Sequence, residues 1–250
     1  MRLKDKVILL TGSTRGIGYE VAKAFLKEGA KVTICGTNQE RAEKSLYKIK
    51  EELNNIEIDA IAIGADIRSD EEVKTMVQRT MDKWGRIDVL VNNAGVTSSA
   101  MMLQETMENL QDLFNINFMG TYRVIQAVAP IMKEQGYGNI INTTSFVGTY
   151  GGRGQSAYGS SKFALNGLTK CCAKEFGPLN IRVNAVGPGC VLTDMLKHFP
   201  EPMLDQLAKS TPVGRNAQPE DMCGAYVMLA SDESKFMTGT IINVDGGLVF

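Results

Sequence analysis

Three side chains near the middle of the sequence could transfer a proton to or from an oxygen atom. Tyr158 and Lys162 are four residues apart in residues 156–175, a proline-free stretch of helical composition, so they lie one turn apart on one face. A free tyrosine has a pKa of roughly 10, and a nearby ammonium group favours the phenolate and lowers that pKa. Such a phenol could protonate a carbonyl oxygen or deprotonate an alcohol, and Ser145 could hold the same oxygen by a hydrogen bond.

The segments around these residues must bring them together. Residues 139–144 form an apolar, β-branched run that is typical of a strand, and a Gly-rich loop follows it. The helix then begins at Ser156, a candidate N-cap. A core tyrosine beside a solvated lysine would give the same Tyr-x-x-x-Lys spacing. Ser145, 13 residues before Tyr158 and across the strand-to-helix loop, favours the chemical interpretation.

Composition limits the classes of protein that fit. The 250 residues, 44% hydrophobic and 22% charged, fit one large α/β domain spanning residues 1–250. A net charge of −1, from 27 cations and 28 anions, gives no electrostatic footprint for nucleic acid. No apolar run is long enough to span a membrane, and the N-terminus lacks the apolar region of a signal peptide. Five cysteines without Cys-x-x-Cys spacing indicate reduced thiols in a cytoplasmic protein.

The single histidine, His198, argues against several chemistries. A Ser-His-Asp triad would need it, but it lies in a Met- and Pro-rich segment without a nucleophile elbow nearby. A zinc site with several histidines is impossible, and we predict no metal site. His198 is either an exposed loop residue or a contact to the substrate.

A nucleotide-binding turn follows the first predicted strand. Residues 6–11 are a short apolar run without alternation, as in a buried parallel strand, and Gly-Ser-Thr-Arg-Gly-Ile-Gly and an amphipathic helix come next. Gly12 permits the tight turn, Gly16 lets the backbone approach a pyrophosphate at the helix N-terminus, and Gly18 allows close helix–sheet packing. The spacing is Gly-x-x-x-Gly-x-Gly, and the βα repeats that follow it make a dinucleotide site the favoured interpretation.

The end of the second strand, residues 30–35, indicates which dinucleotide binds. An NAD enzyme usually carries an acid there for the adenosine 2′-hydroxyl, but this sequence has Gly-Thr-Asn. Thr37 can hydrogen-bond a 2′-phosphate and Arg15 can pair with one, which favours NADP(H). Arg15 as an ordinary solvated cation of the turn is the alternative.

Two further loops carry polar residues at strand ends. Asp66, just past the strand at residues 57–63, could hydrogen-bond adenine or cap the next turn. The strand at residues 87–91 is followed by Asn-Asn-Ala-Gly, small and amide residues that suit the ligand crevice of an open parallel sheet.

A long helix is predicted over residues 108–133, with Asn117 inside it. Because asparagine disfavours helix interiors, Asn117 suggests a local kink whose backbone or side chain holds a water. The alternative is an ordinary polar residue of the helix.

After the strand at residues 181–186, the chain turns into a segment that we interpret as a substrate lid, at about 190–212. Residues 195–207 are apolar and sulfur-rich, and Pro200 and Pro202 interrupt them, which predicts short helical pieces with adaptable methionines. A core-facing helix stripe is the alternative. A helix over residues 219–231, capped near Gln218, and a strand at 240–245 complete the chain.

The alternation of strands and helices, without linker or repeat, predicts a single-domain Rossmann fold. Its sheet is parallel, seven-stranded and doubly wound, with helices on both faces.

The motifs resemble those of the short-chain dehydrogenase/reductase family over the whole chain. Matching segments are Thr11–Gly18, Asn92–Gly95, Ser145, Tyr158-x-x-x-Lys162 and Pro188–Gly189. The resemblance implies a tetrad in which Tyr158 is the acid/base and Ser145 clamps the carbonyl. Lys162 would hold the nicotinamide ribose and lower the pKa of Tyr158, and Asn117 would hold a proton-relay water.

The resemblance also implies the binding residues. Asp66 and Ile67 would contact adenine, Asn93 the adenine ribose region, and Val191 and Thr193 the carboxamide. The full cofactor set is Gly12, Ser13, Thr14, Arg15, Gly16, Ile17, Gly18, Thr37, Asp66, Ile67, Asn93, Ala94, Gly95, Tyr158, Lys162, Pro188, Gly189, Val191 and Thr193. The substrate set is Ser145, Val147, Tyr158, Met195 and His198.

Two branches of the family compete for the substrate. The 3-oxoacyl-carrier-protein reductases tend to carry two arginines for their acidic carrier protein, and Gly136 and Leu179 stand at those positions here. Bacterial hydroxysteroid dehydrogenases, particularly the bile-acid 3α type, are similar around residues 95–98 and 141–145. The apolar lid suits a lipophilic ketone, so the second branch is favoured.

We therefore expect an NADP(H)-dependent oxidoreductase that interconverts a ketone and a secondary alcohol on a small lipophilic molecule, such as a hydroxysteroid or bile acid. The alternative is a 3-oxoacyl-carrier-protein reductase, and a remote one is a non-catalytic NADP(H)-binding protein. The resemblance implies a homotetramer, and we expect no nucleic-acid or membrane partner.

Overall fold

A computed structural model describes residues 1–196 and 199–248. Seven strands form one sheet: β1 Val7–Leu10, β2 Lys31–Gly36, β3 Asp59–Gly64, β4 Val89–Asn92, β5 Gly138–Thr143, β6 Ile181–Pro188 and β7 Ile241–Val244. The α-helices of these ranges are α1 Gly16–Lys27, α2 Gln39–Glu52, α3 Asp70–Trp84, α4 Met107–Phe114, α5 Thr121–Gln135, α6 Val147–Tyr150, α7 Ser156–Phe176, α8 Glu201–Ser210 and α9 Cys223–Ala230.

The sheet is parallel throughout, in the order β3-β2-β1-β4-β5-β6-β7. The chain winds outward from β1 in one direction and from β4 in the other, so the order reverses between these two strands. The carboxyl ends of the strands open into a crevice at such a reversal. This topology confirms the predicted doubly wound, seven-stranded fold.

The core has two layers, one on each face of the sheet. Ile8 and Leu10 belong to the layer that includes α1 and α9, whereas Leu9 belongs to the layer that includes α3 and α5. Each of the three side chains is fully buried. Both faces of β1 are therefore covered, which explains why its sequence shows no alternation of apolar and polar residues.

The helix predicted over residues 108–133 is divided by a π-helical turn, Asn115–Gly120, between α4 and α5. The kink expected near Asn117 is thus confirmed. The helix predicted over residues 219–231 is also divided, into a 3₁₀ turn at Pro219–Met222 and α9. Its cap at Gln218 is confirmed, since the Gln218 N–H donates to the Asp221 carboxylate at 2.7 Å.

The N-cap predicted for α7 is wrong. Ser156 is the first helical residue, and Gln155 precedes it as the N-cap without a capping hydrogen bond from its side chain. The Gln155 carbonyl already accepts from the Gly159 N–H at 2.6 Å, so the helical bonds start one residue earlier than we expected.

The segment proposed as a lid contains a 3₁₀ turn, Asp194–Leu196, and then α8. None of the α8 side chains is buried, so the core-facing stripe is wrong and the short helical pieces are confirmed. Within residues 1–196 and 199–248, no helix is both long and apolar enough to cross a membrane.

Candidate active site

A cavity of about 580 Å³ lies at the carboxyl edge of the sheet. It runs from the Gly-rich turn after β1, past the ends of β2, β3 and β4, to the β5–α7 connection and the lid. Residues from distant parts of the sequence meet here because all parallel strands end at the same edge.

Tyr158 and Lys162 lie on one face of α7, as predicted, and both line this cavity. Lys162 is only 4% exposed, and its Nζ lies 5.7 Å from the centroid of the Tyr158 ring. The ammonium donates a hydrogen bond to the main-chain carbonyl of Thr143, at the end of β5, at 2.9 Å. Ser145 follows two residues later, buried at the cavity wall, and shares a side-chain hydrogen bond with Tyr158.

Burial changes the pKa values of both Tyr158 and Lys162, and the pKa of Tyr158 moves opposite to the direction that the sequence predicts. Burial lowers the pKa of Lys162 to about 8 because removal from water penalises the ammonium. Burial also raises the pKa of Tyr158, and its hydrogen bond with Ser145 offsets only part of that effect. The expected lowering by Lys162 is therefore wrong for this arrangement, since the ammonium is directed at the Thr143 carbonyl and desolvation dominates at the phenol.

Asn117 is fully buried in the π-helical turn and does not line the cavity. Its Oδ1 accepts from the Val96 N–H at 2.9 Å, while its Nδ2 donates to the Val96 carbonyl at 3.0 Å and to Ser161 Oγ at 3.1 Å. The side chain thus ties the loop after β4 to α7. The main-chain carbonyl of Asn117 accepts from Thr121 Oγ1 at 3.1 Å, so a water held there would use a second lone pair of that carbonyl or of Oδ1.

The Gly-rich turn has the close approaches that its glycines predict. Gly12 has a φ of +65°, and a Cβ there would lie 2.6 Å from Ala94 Cα. A Cβ at Gly18 would overlap the Gly12 carbonyl oxygen and the Asn93 amide nitrogen. The turn is therefore held against both its helix and the loop after β4. The Asn93 Nδ2 donates to the Gly12 carbonyl at 2.8 Å.

Ser13 is the one residue of the predicted turn that does not line the cavity. Its Oγ donates to the Leu10 carbonyl at 2.9 Å and accepts from the Cys35 N–H at 2.8 Å. Its own N–H donates to the Cys35 carbonyl at 2.9 Å. Both polar groups are thus used to join β1 to β2, and the contact of Ser13 with the cofactor stays a prediction.

One end of the cavity is cationic. Arg15 and Thr37 line it as predicted, and so does Arg41, which the sequence analysis missed. Arg41 Nη1 donates to Thr37 Oγ1 at 3.3 Å. The signal for Arg41 was its position four residues after Thr37, in the first turn of α2. No acidic residue of β2 or of its end faces this group, so the donor set fits an anionic phosphate.

Asp66 and Ile67 line the neighbouring wall. Asp66 Oδ2 pairs with Arg68 at 2.6 Å, which lowers the pKa of that carboxyl. The Arg68 N–H also donates to Asp66 Oδ1 at 2.9 Å, so Asp66 caps the turn while its side chain stays at the cavity. Capping the turn and a hydrogen bond to adenine, the two roles that the sequence left open for Asp66, are therefore compatible.

The remaining predicted contacts also fall on this cavity. Those that line it are Thr14, Gly16, Ile17, Ala94, Gly95, Val147, Pro188, Gly189, Val191, Thr193 and Met195. Four apolar lid residues also line the cavity: Leu196, Phe199, Met203 and Leu207. His198 lies outside the described residues. Among the residues described, no cluster of three or more His, Cys, Asp or Glu side chains could hold a metal ion.

Known proteins resemble this chain over nearly its full length. The chain is 42% identical over 248 residues to the 3alpha-hydroxysteroid dehydrogenase of Mediterraneibacter gnavus, across 98% of each chain. It is 41% identical over 249 residues to the 3-oxoacyl-(acyl-carrier-protein) reductase FabG of Thermotoga maritima, across 100% of each chain.

A solved structure of a 7 alpha-hydroxysteroid dehydrogenase complexed with NADH and 7-oxo glycochenodeoxycholic acid matches with a TM-score of 0.92 at 32% identity. The match covers 99% of this chain and 96% of that one. A family model described as enoyl-(acyl carrier protein) reductase matches residues 12–249. The chain belongs to the short-chain dehydrogenase/reductase family and is an oxidoreductase that uses a nicotinamide cofactor.

Proposed function

We propose that the protein interconverts a ketone and a secondary alcohol on a lipophilic molecule, with NADP(H) as cofactor. The bound nicotinamide supplies or accepts the hydride. Tyr158 gives a proton to the carbonyl oxygen during reduction and takes it back from the alcohol during oxidation. Ser145 holds that oxygen by a hydrogen bond. The observation that carries the proposal is the meeting of Ser145, Tyr158 and Lys162 on one wall of a cavity that also contains the Gly-rich turn.

Lys162 and Asn117 have different tasks in this proposal. Lys162 would hold the nicotinamide ribose, because its ammonium is fixed at the end of β5 by the Thr143 carbonyl. Asn117 is a positioning residue, because its side chain already forms hydrogen bonds with Val96 and Ser161. A proton relay that ends at Asn117 would use a second lone pair of its main-chain carbonyl or of Oδ1.

The preference for NADP(H) over NAD(H) is supported by the cationic end of the cavity. Arg15 and Arg41 flank Thr37 there, and the end of β2 carries no acid to repel a 2′-phosphate. Arginine pairs strongly with phosphate through two parallel hydrogen bonds. The Gly-rich turn and the N-terminus of α1 would receive the pyrophosphate.

The lipophilic substrate is supported by the lid. Its apolar side chains line the same cavity as Tyr158, and methionine adapts to irregular apolar molecules. The M. gnavus relative bears the name of a hydroxysteroid dehydrogenase, and the solved neighbour is complexed with an oxo bile acid. A hydroxysteroid or bile acid is therefore the favoured substrate.

A 3-oxoacyl-carrier-protein reductase is the second candidate, favoured by the nearly equal identity to the T. maritima enzyme. Gly136 and Leu179, where that branch tends to place arginines, are close neighbours, since Asn180 Nδ2 donates to the Gly136 carbonyl at 3.0 Å. Neither position supplies a cation for an acidic carrier protein. This pair of residues therefore argues against the second candidate.

The test is NADPH oxidation with a 3-oxo bile acid and an acetoacetyl thioester assayed side by side. Turnover of the bile acid alone supports the proposal, and turnover of the thioester alone replaces it with the second candidate. NADPH binding without oxidation of any carbonyl compound would instead indicate a non-catalytic protein. Repeating the better reaction with NADH tests the cofactor preference.

We also propose a single domain over residues 1–250 that assembles as a homotetramer. Large apolar side chains remain exposed on α5 and α7, including Tyr122 and Phe163, and Phe236 is fully exposed. Exposed apolar groups of this size are typical of surfaces that bind another chain. Light scattering on the purified protein would determine the number of subunits.

A further inference from the structure

Arg153 lines the same cavity as Ser145, Tyr158 and Lys162. It belongs to the loop between α6 and α7, five residues before Tyr158, and its neighbours Gly152 and Gln155 also line the cavity. Its side chain is exposed. Within residues 1–196 and 199–248, Arg153 forms no ion pair and no hydrogen bond.

Main-chain contacts hold the loop that carries Arg153. The Ala100 N–H donates to the Gly154 carbonyl at 3.0 Å, and Ala100 and Gln155 form an isolated parallel bridge. Gly151 and Gly154, on either side of Arg153, have φ angles of +78° and +70°. The main chain on both sides of Arg153 is therefore held in place, and the guanidinium extends from this fixed loop.

The other cations of the cavity have assigned partners. Arg68 is paired with Asp66, and Lys162 donates to Thr143. Arg15 and Arg41 lie at the cationic end with Thr37, where the proposed 2′-phosphate would be bound. Arg153 is the cation of this cavity to which neither a protein partner nor the proposed 2′-phosphate is assigned.

The loop that adjoins Arg153 carries exposed apolar side chains, although Ser99 Oγ is the atom nearest to the position of a Cβ on Gly154, at 3.3 Å. Met101 lies beside Gly154, with its Sδ 3.9 Å from the position that a Cβ on Gly154 would take. Met101, Met102 and Leu103 are all exposed on this adjoining loop. A cation beside an apolar rim fits a molecule that is itself apolar with one anionic group.

We propose that Arg153 binds an anionic group of the substrate, outside the reacting carbonyl, and so selects acidic lipophilic substrates over neutral ones. The proposal rests on the proposed ketone/alcohol function. The shared chemistry is a carboxylate or a phosphate, which could belong to a bile acid or to a thioester of a phosphorylated carrier. A guanidinium binds either group through paired, charge-assisted hydrogen bonds.

The experiment compares wild type with Arg153→Met and Arg153→Lys on matched substrates. One pair is a 3-oxo bile acid and its methyl ester, and the other is acetoacetyl-coenzyme A and the neutral N-acetylcysteamine thioester. We expect Arg153→Met to raise KM for the acidic member about five- to tenfold, with kcat and the KM of the neutral member unchanged. Arg153→Lys should restore part of the loss. The pair that shows the effect identifies the source of the anion.

Lys83→Met is the control, because it removes one exposed cation from α3, outside the cavity. An unchanged KM for both acidic substrates in Arg153→Met would overturn the proposal. So would an equal loss of kcat on acidic and neutral substrates, which would indicate a structural role of the loop. If wild type turns over none of the four compounds, the proposed function itself fails, and this outcome is separate from the first two.

Discussion

The ammonium of Lys162 and the carbonyl of Thr143 are joined by a buried hydrogen bond of 2.9 Å. This bond links α7 to the end of β5, the strand that also leads into Ser145. The proposed catalytic residues, Ser145, Tyr158 and Lys162, are therefore assembled around a strand end and do not depend on the helix alone. Because a lone buried cation is costly, the same bond also marks a place where stability depends on pH.

That pH dependence can be measured with Lys162→Met. The pKa of Lys162 is about 8 in the folded protein, against 10.5 for an ordinary lysine, so the unfolded chain binds more protons between these values. Stability must then rise with pH through this window. Relative to Lys162→Met, wild type should gain up to about 3 kcal/mol in free energy of unfolding from pH 8 to pH 10.5.

The measurement is urea unfolding of both proteins at several pH values across this window. Lys162→Met also leaves the Thr143 carbonyl without its hydrogen-bond donor. That loss of stability is the same at every pH, so it does not change the slope of the free energy of unfolding against pH. Parallel stability curves for the two proteins would contradict the lowered pKa.

Tyr158→Phe should abolish turnover, with a loss of about 10²- to 10⁴-fold or more, because the acid/base group is removed. NADPH binding should stay within a few-fold, since the ring remains. Steady-state rates and cofactor fluorescence measure the two quantities. Tyr150→Phe is the control, because the Tyr150 hydroxyl lies outside the cavity and, in the part of the chain that the structure describes, accepts only from Asn243. Substantial activity in Tyr158→Phe would end the assignment.

Arg41→Ala should raise KM for NADPH about tenfold and leave KM for NADH unchanged, because only the former has a 2′-phosphate. Kinetics with both cofactors provide the measurement. Lys44→Ala is the matched control, since Lys44 is exposed on the same helix and pairs with Glu40 at 2.8 Å. Equal losses with both cofactors would place Arg41 outside the 2′-phosphate site.

Gly18→Ala should weaken NADPH binding and destabilise the fold, because the new methyl group would overlap the Gly12 carbonyl and Asn93. Gly224→Ala is a matched substitution, also near the start of a helix. A Cβ at Gly224 meets no atom within 4 Å. Gly224→Ala should therefore stabilise the protein by up to about 1 kcal/mol, because alanine has a higher helix propensity than glycine. Thermal unfolding should show a lower melting temperature for Gly18→Ala and a higher one for Gly224→Ala. A shift in the same direction for both variants would contradict the packing described for Gly18.

The sequence predicted those parts of the site that follow from local spacing. Tyr158 and Lys162 meet because four residues make one helical turn, and Ser145 joins them because it ends the neighbouring strand. The Gly-rich turn was predictable from its motif between a strand and a helix, whereas its contacts with Ala94 and Asn93 of the distant loop after β4 were not. The predictable relationships thus depend on elements adjacent in sequence.

What the sequence does not reveal is which way a side chain points. Ser13 lies within the turn but faces β2, and Arg41 faces the cavity from a helix whose remaining residues are mostly solvated. The pKa of Tyr158 was predicted from a neighbouring charge, but its burial, which spacing does not reveal, has the larger effect. Such properties arise from packing between distant segments.

The π-helical turn at Asn115–Gly120 gives the α4–α5 helix a shift of rotational phase. One extra residue per turn displaces everything after it by roughly 100° around the helix axis. Leu113 before the turn and Val124 after it are both buried, while Asn117 between them reaches Val96 and Ser161. The stretch thus buries apolar side chains on either side of the turn, while the turn itself directs an amide at the loop after β4 and at α7.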